Sequence, residues 1–174
     1  WNSLVSNRIT AITVDTTSPT ISNFSVTNPS DQTVSVAFDT TERLDVINVT
    51  ISGTESATLN ETDFTQTGSG PYSYTASYDA STDGGYTATL DAAADSAGND
   101  GSNSDSDSAT VDSIAPNAEA GVDQQTDAGV VVTVSGSGST DSVGVVGYEW
   151  DFGDGTDTET GVSATHAYTS KGTY

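Results

Sequence analysis

Carboxylates are the chemistry this chain holds in quantity. Nineteen Asp and six Glu face three Lys and Arg, a formal net charge of −22. Oxygen donors of this kind suit hard cations, and Ca2+ takes roughly six to eight of them from carboxylates, carbonyls and water. Candidate donors fall in two groups. Asp15, Asp39, Asp95 and Asn99 lead the first, ahead of Glu42 and Asp45; Asp112 and Asp141 lead the second, ahead of Asn117. Asp100-Gly101 with Asp105 and Asp107 is one ragged copy of a Gly/Asp pattern and reads as loop. His166 is the only histidine. A triad would need a marked nucleophile, and the chain has neither a Gly-x-Ser-x-Gly elbow nor an oxyanion loop, so no catalytic residue is assigned. With no Cys, thiolate chemistry and disulfides are excluded. Asn23-Phe24-Ser25, Asn48-Val49-Thr50 and Asn60-Glu61-Thr62 are glycosylation sequons, making Asn23, Asn48 and Asn60 candidate acceptors. Proline blocks Asn28-Pro29-Ser30. Tyr72, Tyr74, Tyr78 and Tyr86 could form an aromatic platform for sugars, but a period of two on one strand face favours the core.

The charge bounds the partners. Self-repulsion of this size opposes a compact state. Molar salt screens it within about 3 Å. The balance therefore predicts a salt-rich, haloarchaeal habitat; the alternative is a marine bacterial surface protein whose Asp residues bind Ca2+. Nucleic acid is excluded, because its phosphates need Lys and Arg. No apolar run is long enough to span a bilayer, so no membrane contact is expected within these residues. Position 1 is Trp rather than Met, which reads as a start inside a longer protein, with any signal or anchor elsewhere.

The elements that must position these groups are strands. Alternating apolar residues mark 20–27, 33–39, 46–53, 72–78, 85–91 and 106–112, and no stretch holds a 3.6-residue period. The fold class is all-β, with tandem β-sandwiches. Only 33% of residues are hydrophobic, which suits strands that bury alternate residues. Residues 11–19 match residues 108–116, and 97 residues separate Asp15 from Asp112, one sandwich length. Each copy ends a strand, then places an Asp and a Pro that stiffens the link. The expected division is 1–15 as the last strand of a preceding domain or a linker, 16–113 as the first sandwich and 114–174 as the second. The Asp/Ser/Asn-rich stretch 100–107 is expected to lengthen the loop between the last two strands of the first sandwich and to lack order.

Two resemblances refine this. Asp95-Ser96-Ala97-Gly98-Asn99, followed by Val111-Asp112 and Pro116, resembles the bacterial and archaeal Ig-like tandem repeats. Tyr148-Glu149-Trp150-Asp151-Phe152-Gly153-Asp154-Gly155, with His166-Ala167-Tyr168 and Lys171-Gly172-Thr173-Tyr174, resembles the PKD domain family. That family continues past Gly-Thr-Tyr with another strand, so the second sandwich reads as incomplete. Ig-like topology implies that Asp15 meets Asp39, Glu42, Asp45, Asp95 and Asn99 at one end, where related adhesin repeats hold calcium. The second resemblance implies a similar meeting of Asp112, Asn117 and Asp141, although Thr140-Asp141-Ser142-Val143 carries one acidic residue where the family often has two. It makes His166 a structural strand residue and Trp150 the largest core contributor. Both imply an extracellular, cell-surface, non-enzymatic structural or adhesive protein of a surface layer, stalk or filament. Its partners would be neighbouring domains or subunits of the same assembly, and cell-surface glycans. The alternatives are an accessory region of a secreted hydrolase, and a filament subunit that donates residues 8–14 as a strand.

Overall fold

Alternation of apolar and polar residues builds the strands and sets their buried faces. In the computed structural model, which describes residues 14–30, 32–101 and 104–174, the chain divides between Val111 and Asp112 into two compact units. The first holds β1 (Ile21–Ser30), β2 (Thr33–Thr40), β3 (Val46–Gly53), β4 (Ala57–Asn60), β5 (Thr65–Thr67), β6 (Tyr72–Asp79), β7 (Gly84–Ala94) and β8 (Ser106–Val111). These form two antiparallel sheets, ordered β1-β2-β6-β5 and β4-β3-β7-β8. Val34, Val36 and Phe38 of β2, Ile47, Val49 and Ile51 of β3, and Tyr86, Ala88 and Leu90 of β7 are all buried, every second residue along each strand. Both sheets feed one core. Each fully buried large side chain contributes about 1.5–3 kcal/mol relative to exposure. Phe38 lies opposite Tyr74 in the β2–β6 register. Their rings stack at 5.4 Å, with Phe24 at 6.1 Å and Phe64 edge-on at 5.5 Å from Phe38.

Among the described residues there is no helix, as the missing 3.6-residue period predicts. Six strands lie where alternation places them. β4 and β5 do not announce themselves: Ala-Thr-Leu-Asn and Thr-Gln-Thr carry little apolar pattern, and pairing to β3 and β6 makes them strands. The acidic stretch is a correction. Ser106 already belongs to β8, the Leu90 N–H donates to the Asp105 carbonyl at 2.8 Å, and the Val26 N–H donates to Asp107 Oδ2 at 2.8 Å. Asp107 thus lends its carboxylate, and Asp105 its carbonyl, to bonds inside the first unit, so this end of the stretch is ordered. Residues 102 and 103 lie outside the described residues. So do residues 1–13, on which the preceding-strand and strand-donation readings rest.

The second unit has shorter strands: β9 (Val132–Ser135), β10 (Glu149–Trp150), β11 (Glu159–Thr160) and β12 (Ser163–His166). β12 pairs with β9, and β10 with β11. Along 148–152 the aromatic positions are half-buried or buried while Glu149 and Asp151 are exposed, the expected two-faced strand. Gly153 and Gly155 turn the chain with φ of +72° and +82°, a region that costs glycine little. Gly136 is required by contact: a Cβ there would lie 2.7 Å from Cδ1 of Tyr148. Trp150 is not the centre of this core. It is half-buried, and its indole Nε1 donates to the Gly161 carbonyl at 2.8 Å. Phe152 (6% exposed) and Ala164 (5%) are the buried pair. The amphipathic indole keeps one edge at the surface to reach its acceptor.

Candidate metal centre

Backbone pairing at one end of the first unit brings three acidic segments together. The Thr41 N–H donates to the Thr20 carbonyl at 3.2 Å, and the Thr20 N–H to Thr41 Oγ1 at 2.9 Å. These bonds fasten the segment ahead of β1 to the turn after β2. The Asp45 N–H donates to the Ala94 carbonyl at 2.8 Å, which fastens the start of β3 to the end of β7. Asp15, Glu42 and Asp95 converge as a result. One carboxylate oxygen from each lies within 4.8 Å of the others.

The three carboxylates are not equivalent. Asp95 is 6% exposed. Its Oδ1 accepts from the Ala97 N–H at 2.8 Å and the Asn99 N–H at 2.9 Å, and its Oδ2 accepts from Asn99 Nδ2 at 2.8 Å. The Asn99 amide and these N–H groups hold its carboxyl below the usual range, against the effect of burial. Burial pushes Glu42 up, and the charges of Asp15 and Asp95 push it further. Asp15 is exposed and caps its own turn, accepting from the Thr17 N–H at 3.1 Å. No Lys, Arg or His pairs with any of the three among the described residues. The site is thus a group of hard oxygens with uncompensated negative charge. Ca–O bonds of roughly 2.3–2.6 Å place ligand oxygens on one ion at such separations.

Of the other residues picked from the sequence, Asn99 touches the group through Asp95, and Asp39 and Asp45 stand outside it. Asp39 stands one position before buried Thr40, on the opposite face of β2. Its carboxylate accepts from Ser73 Oγ at 2.6 Å and Asn23 Nδ2 at 2.8 Å, bonds that lower its pKa with Ser73 the stronger cause. Asn99 orients Asp95 rather than adding a carboxylate of its own. Asp45 is exposed and outside the group. In the second unit Asp112 is exposed at the boundary. Asn117 and Thr140 exchange backbone bonds at 2.8 and 3.1 Å, which sets Asn117 beside Asp141 in the chain fold. Asp141 Oδ1 accepts from the Val143 and Gly144 N–H groups, both at 2.8 Å, while Oδ2 is buried and unpartnered. No third acidic ligand joins them among the described residues.

His166 serves packing. Its ring stacks on Phe152 at 4.2 Å and meets Tyr168 edge-on at 4.6 Å, and Nε2 lies 2.8 Å from Asp154 Oδ2. The Thr156 hydroxyl, then His166, hold Asp154 down to about 2. The tyrosines also face inward: Tyr74 and Tyr86 are 3% and 1% exposed, which removes the sugar-platform reading for these residues.

One device left no local signal in the sequence. Glu55, in the turn after β3, accepts from Tyr78 Oη at 2.7 Å, from Thr82 Oγ1 at 2.8 Å, and from the hydroxyl and N–H of Ser81. Its donors stand more than twenty residues away, so only the fold reveals it. Ser81 leads the causes that bring Glu55 down to about 2, while Glu55 raises Tyr78 to about 12.

No curated protein and no solved structure matches this chain. A family description does match the second unit, where the aromatic strand, the Gly153–Gly155 turn and the Phe152–His166 stack are found: residues 113–174 match the PKD domain.

Proposed function

We propose that this chain is a non-enzymatic structural or adhesive segment of a protein displayed outside the cell, and that its first unit holds Ca2+ between Asp15, Glu42 and Asp95. The observation that carries the first part is the PKD match over residues 113–174. PKD domains are generally extracellular, non-catalytic adhesive or structural modules. Two successive sandwich-type units along the chain support a spacer role, since a chain of such units gains length while each keeps its own core. His166, the one histidine, is stacked against Phe152 and Tyr168 and bonded to Asp154.

For calcium, the support is the donor set. Three carboxylates meet without a basic side chain, and Glu42 is pushed toward protonation by burial and then by the charges of Asp15 and Asp95. A divalent cation would remove that conflict, with Asp95 as the prearranged anchor and Asn99 as the residue that aims it. It would fasten the segment carrying Asp15 to the turns that carry Glu42 and Asp95. The −22 balance supports a salt-rich surrounding for the protein.

Display is tested by labelling intact cells with antibody to this chain and shaving them with protease. Labelling of unbroken cells, lost on shaving, is expected. Signal seen only after lysis would overturn the reading.

A further inference from the structure

The three sequons sit in different physical settings, and the difference selects one of them. Asn23 is exposed on β1 at φ +56°, but its Nδ2 donates to Asp39 Oδ2 at 2.8 Å. The next residue, Phe24, packs on the core, and the Ser25 hydroxyl faces the Ala37 carbonyl of β2 at 3.5 Å. Asn48 lies inside β3, between Asn60 of β4 and Ala92 of β7. Its neighbour Val49 is fully buried, and the Thr50 hydroxyl donates to Asp91 Oδ2 at 2.6 Å. In both cases a core residue pins the middle of the sequon and the hydroxyl is engaged elsewhere.

Asn60-Glu61-Thr62 differs at every one of these points. Asn60, Glu61, Thr62 and Asp63 are all exposed. The Asp63 N–H donates to the Asn60 carbonyl at 2.9 Å, and the Asn60 N–H donates to Asp63 Oδ2 at 2.8 Å, so the segment is a closed turn. Within it the Thr62 N–H and hydroxyl both donate to Asn60 Oδ1, at 3.0 and 2.6 Å. The sequon hydroxyl is thus folded onto its own asparagine. Oδ1 is the atom so engaged, and among the described residues Nδ2 makes no hydrogen bond.

We propose that Asn60 is the N-glycosylation acceptor of the folded chain, and that the fold withholds Asn23 and Asn48. The donor class is a glycan on a polyprenyl diphosphate. Asn60 Nδ2 attacks the anomeric carbon, and the N–C bond forms as the C–O bond to phosphate breaks. The lipid diphosphate leaves with the bonding pair, and the amide releases one proton. The turn presents an exposed nucleophile with the hydroxyl already beside it, whereas Asn48 can react only when β3 parts from both neighbours, a rare opening. A glycan at this position would stand at the end of β4, an edge strand of its sheet. There it would shield the open edge against pairing with other chains.

The proposal borrows from the proposed function only that the chain meets a glycosylation machinery outside the cytoplasm, and an in vitro test separates the two. The folded protein is incubated with a single-subunit oligosaccharyltransferase that requires only Asn-x-Ser/Thr, together with a polyprenyl-diphosphate glycan. Occupancy is read by glycopeptide mass spectrometry, with three synthetic peptides bearing the same sequons as the unfolded reference. Expected is occupancy at Asn60, with Asn23 and Asn48 about tenfold lower or absent in the protein although their peptides react. Asn60→Gln should abolish the product. An unmodified Asn60 in the protein overturns the proposal whatever the peptides do, as does equal occupancy at Asn23 or Asn48. If the chain is absent from intact-cell surfaces, the display reading falls and this result stands.

Discussion

The two units solve the same stability problem with different means. In the first, long strands bury side chains from two sheets into a shared core that includes three aromatic rings around Phe38. In the second, strands are two to four residues long, and Phe152 and Ala164 are its buried hydrophobics among the described residues. What the second lacks in area it replaces with local bonds. Asp151, Asp154 and Asp141 each accept an N–H from two or three residues ahead, and His166 ties the turn to the stack. Area is general and tolerant of sequence; bonded turns demand particular residues. That is why the second unit carries a readable motif and the first carries mainly a pattern.

The largest effect should come from a cavity in the first core. Phe38→Ala should cost about 3–5 kcal/mol and unfold or nearly unfold the first unit, read by denaturant midpoint. A loss under about 1 kcal/mol would mean the shared aromatic core is not what holds this unit. In the second unit the order of two substitutions is diagnostic. Phe152→Ala should cost about 3 kcal/mol or more, and half-buried Trp150→Ala roughly 2. The reverse order would return Trp150 to the centre of that core.

Calcium should act on the first unit, because among the described residues the three-carboxylate group lies there alone. Titration calorimetry in high NaCl should show binding, and Glu42→Gln should weaken it about tenfold, roughly 1.4 kcal/mol. Asp112→Asn should change nothing. Heat that is unaffected by Glu42→Gln would place the ion elsewhere.

How much of this was legible beforehand depended on the residue. Alternation along 33–39 or 46–53 is enough to name a strand and its buried face, since a period of two has no other reading. Asp15 with Asp95 followed from topology plus a repeat. Sequence reasoning favours Asp39 over Glu42, and the structure reverses the order: Glu42 joins Asp15 and Asp95, while Asp39 lies on the other face of β2, bonded to Ser73 and Asn23. Trp150 misled as well: size suggests burial, but an indole N–H needs an acceptor, and Gly161 supplies one at the surface. Glu55 was invisible because its donors come from a turn far along the chain. The same limit hid the contrast between Asn48 and Asn60, which sit opposite each other in one ladder.

Salt should separate the units by a smaller amount. Ten carboxylates face Lys171 in residues 112–174, and fifteen face Arg8 and Arg43 in residues 1–111. The charge is similar per residue, but the second unit has less buried area to oppose it. Raising NaCl from about 0.1 to 2 M, with calcium chelated, should lift both melting transitions, that of the second unit by about 5 °C more. Equal shifts would mean that core size does not govern the response. No shift in either would remove the salt-rich reading.

The smallest expected effect is the response to pH, where the units share one device and differ in another. Glu55 in the first unit and Asp154 in the second are both held at about 2 by hydroxyl and N–H donors. A carboxyl whose pKa falls on folding adds stability above its unfolded value and loses that contribution as pH drops through the folded value. Both units should therefore weaken between about pH 4.5 and pH 2. Glu55→Gln should flatten that slope in the first unit only, and Asp154→Asn in the second only. At alkaline pH the symmetry ends. Tyr78, raised to about 12 by its bond to Glu55, keeps its proton in the folded state while the unfolded chain loses one near its ordinary value of 10.0. The first unit should lose stability between those values, and Tyr78→Phe should remove that loss while sacrificing one donor to Glu55. Melting curves recorded for each unit across both pH ranges would decide it. An acid slope unchanged by Glu55→Gln would show that the clamp orders the turn without contributing to the pH dependence of the fold.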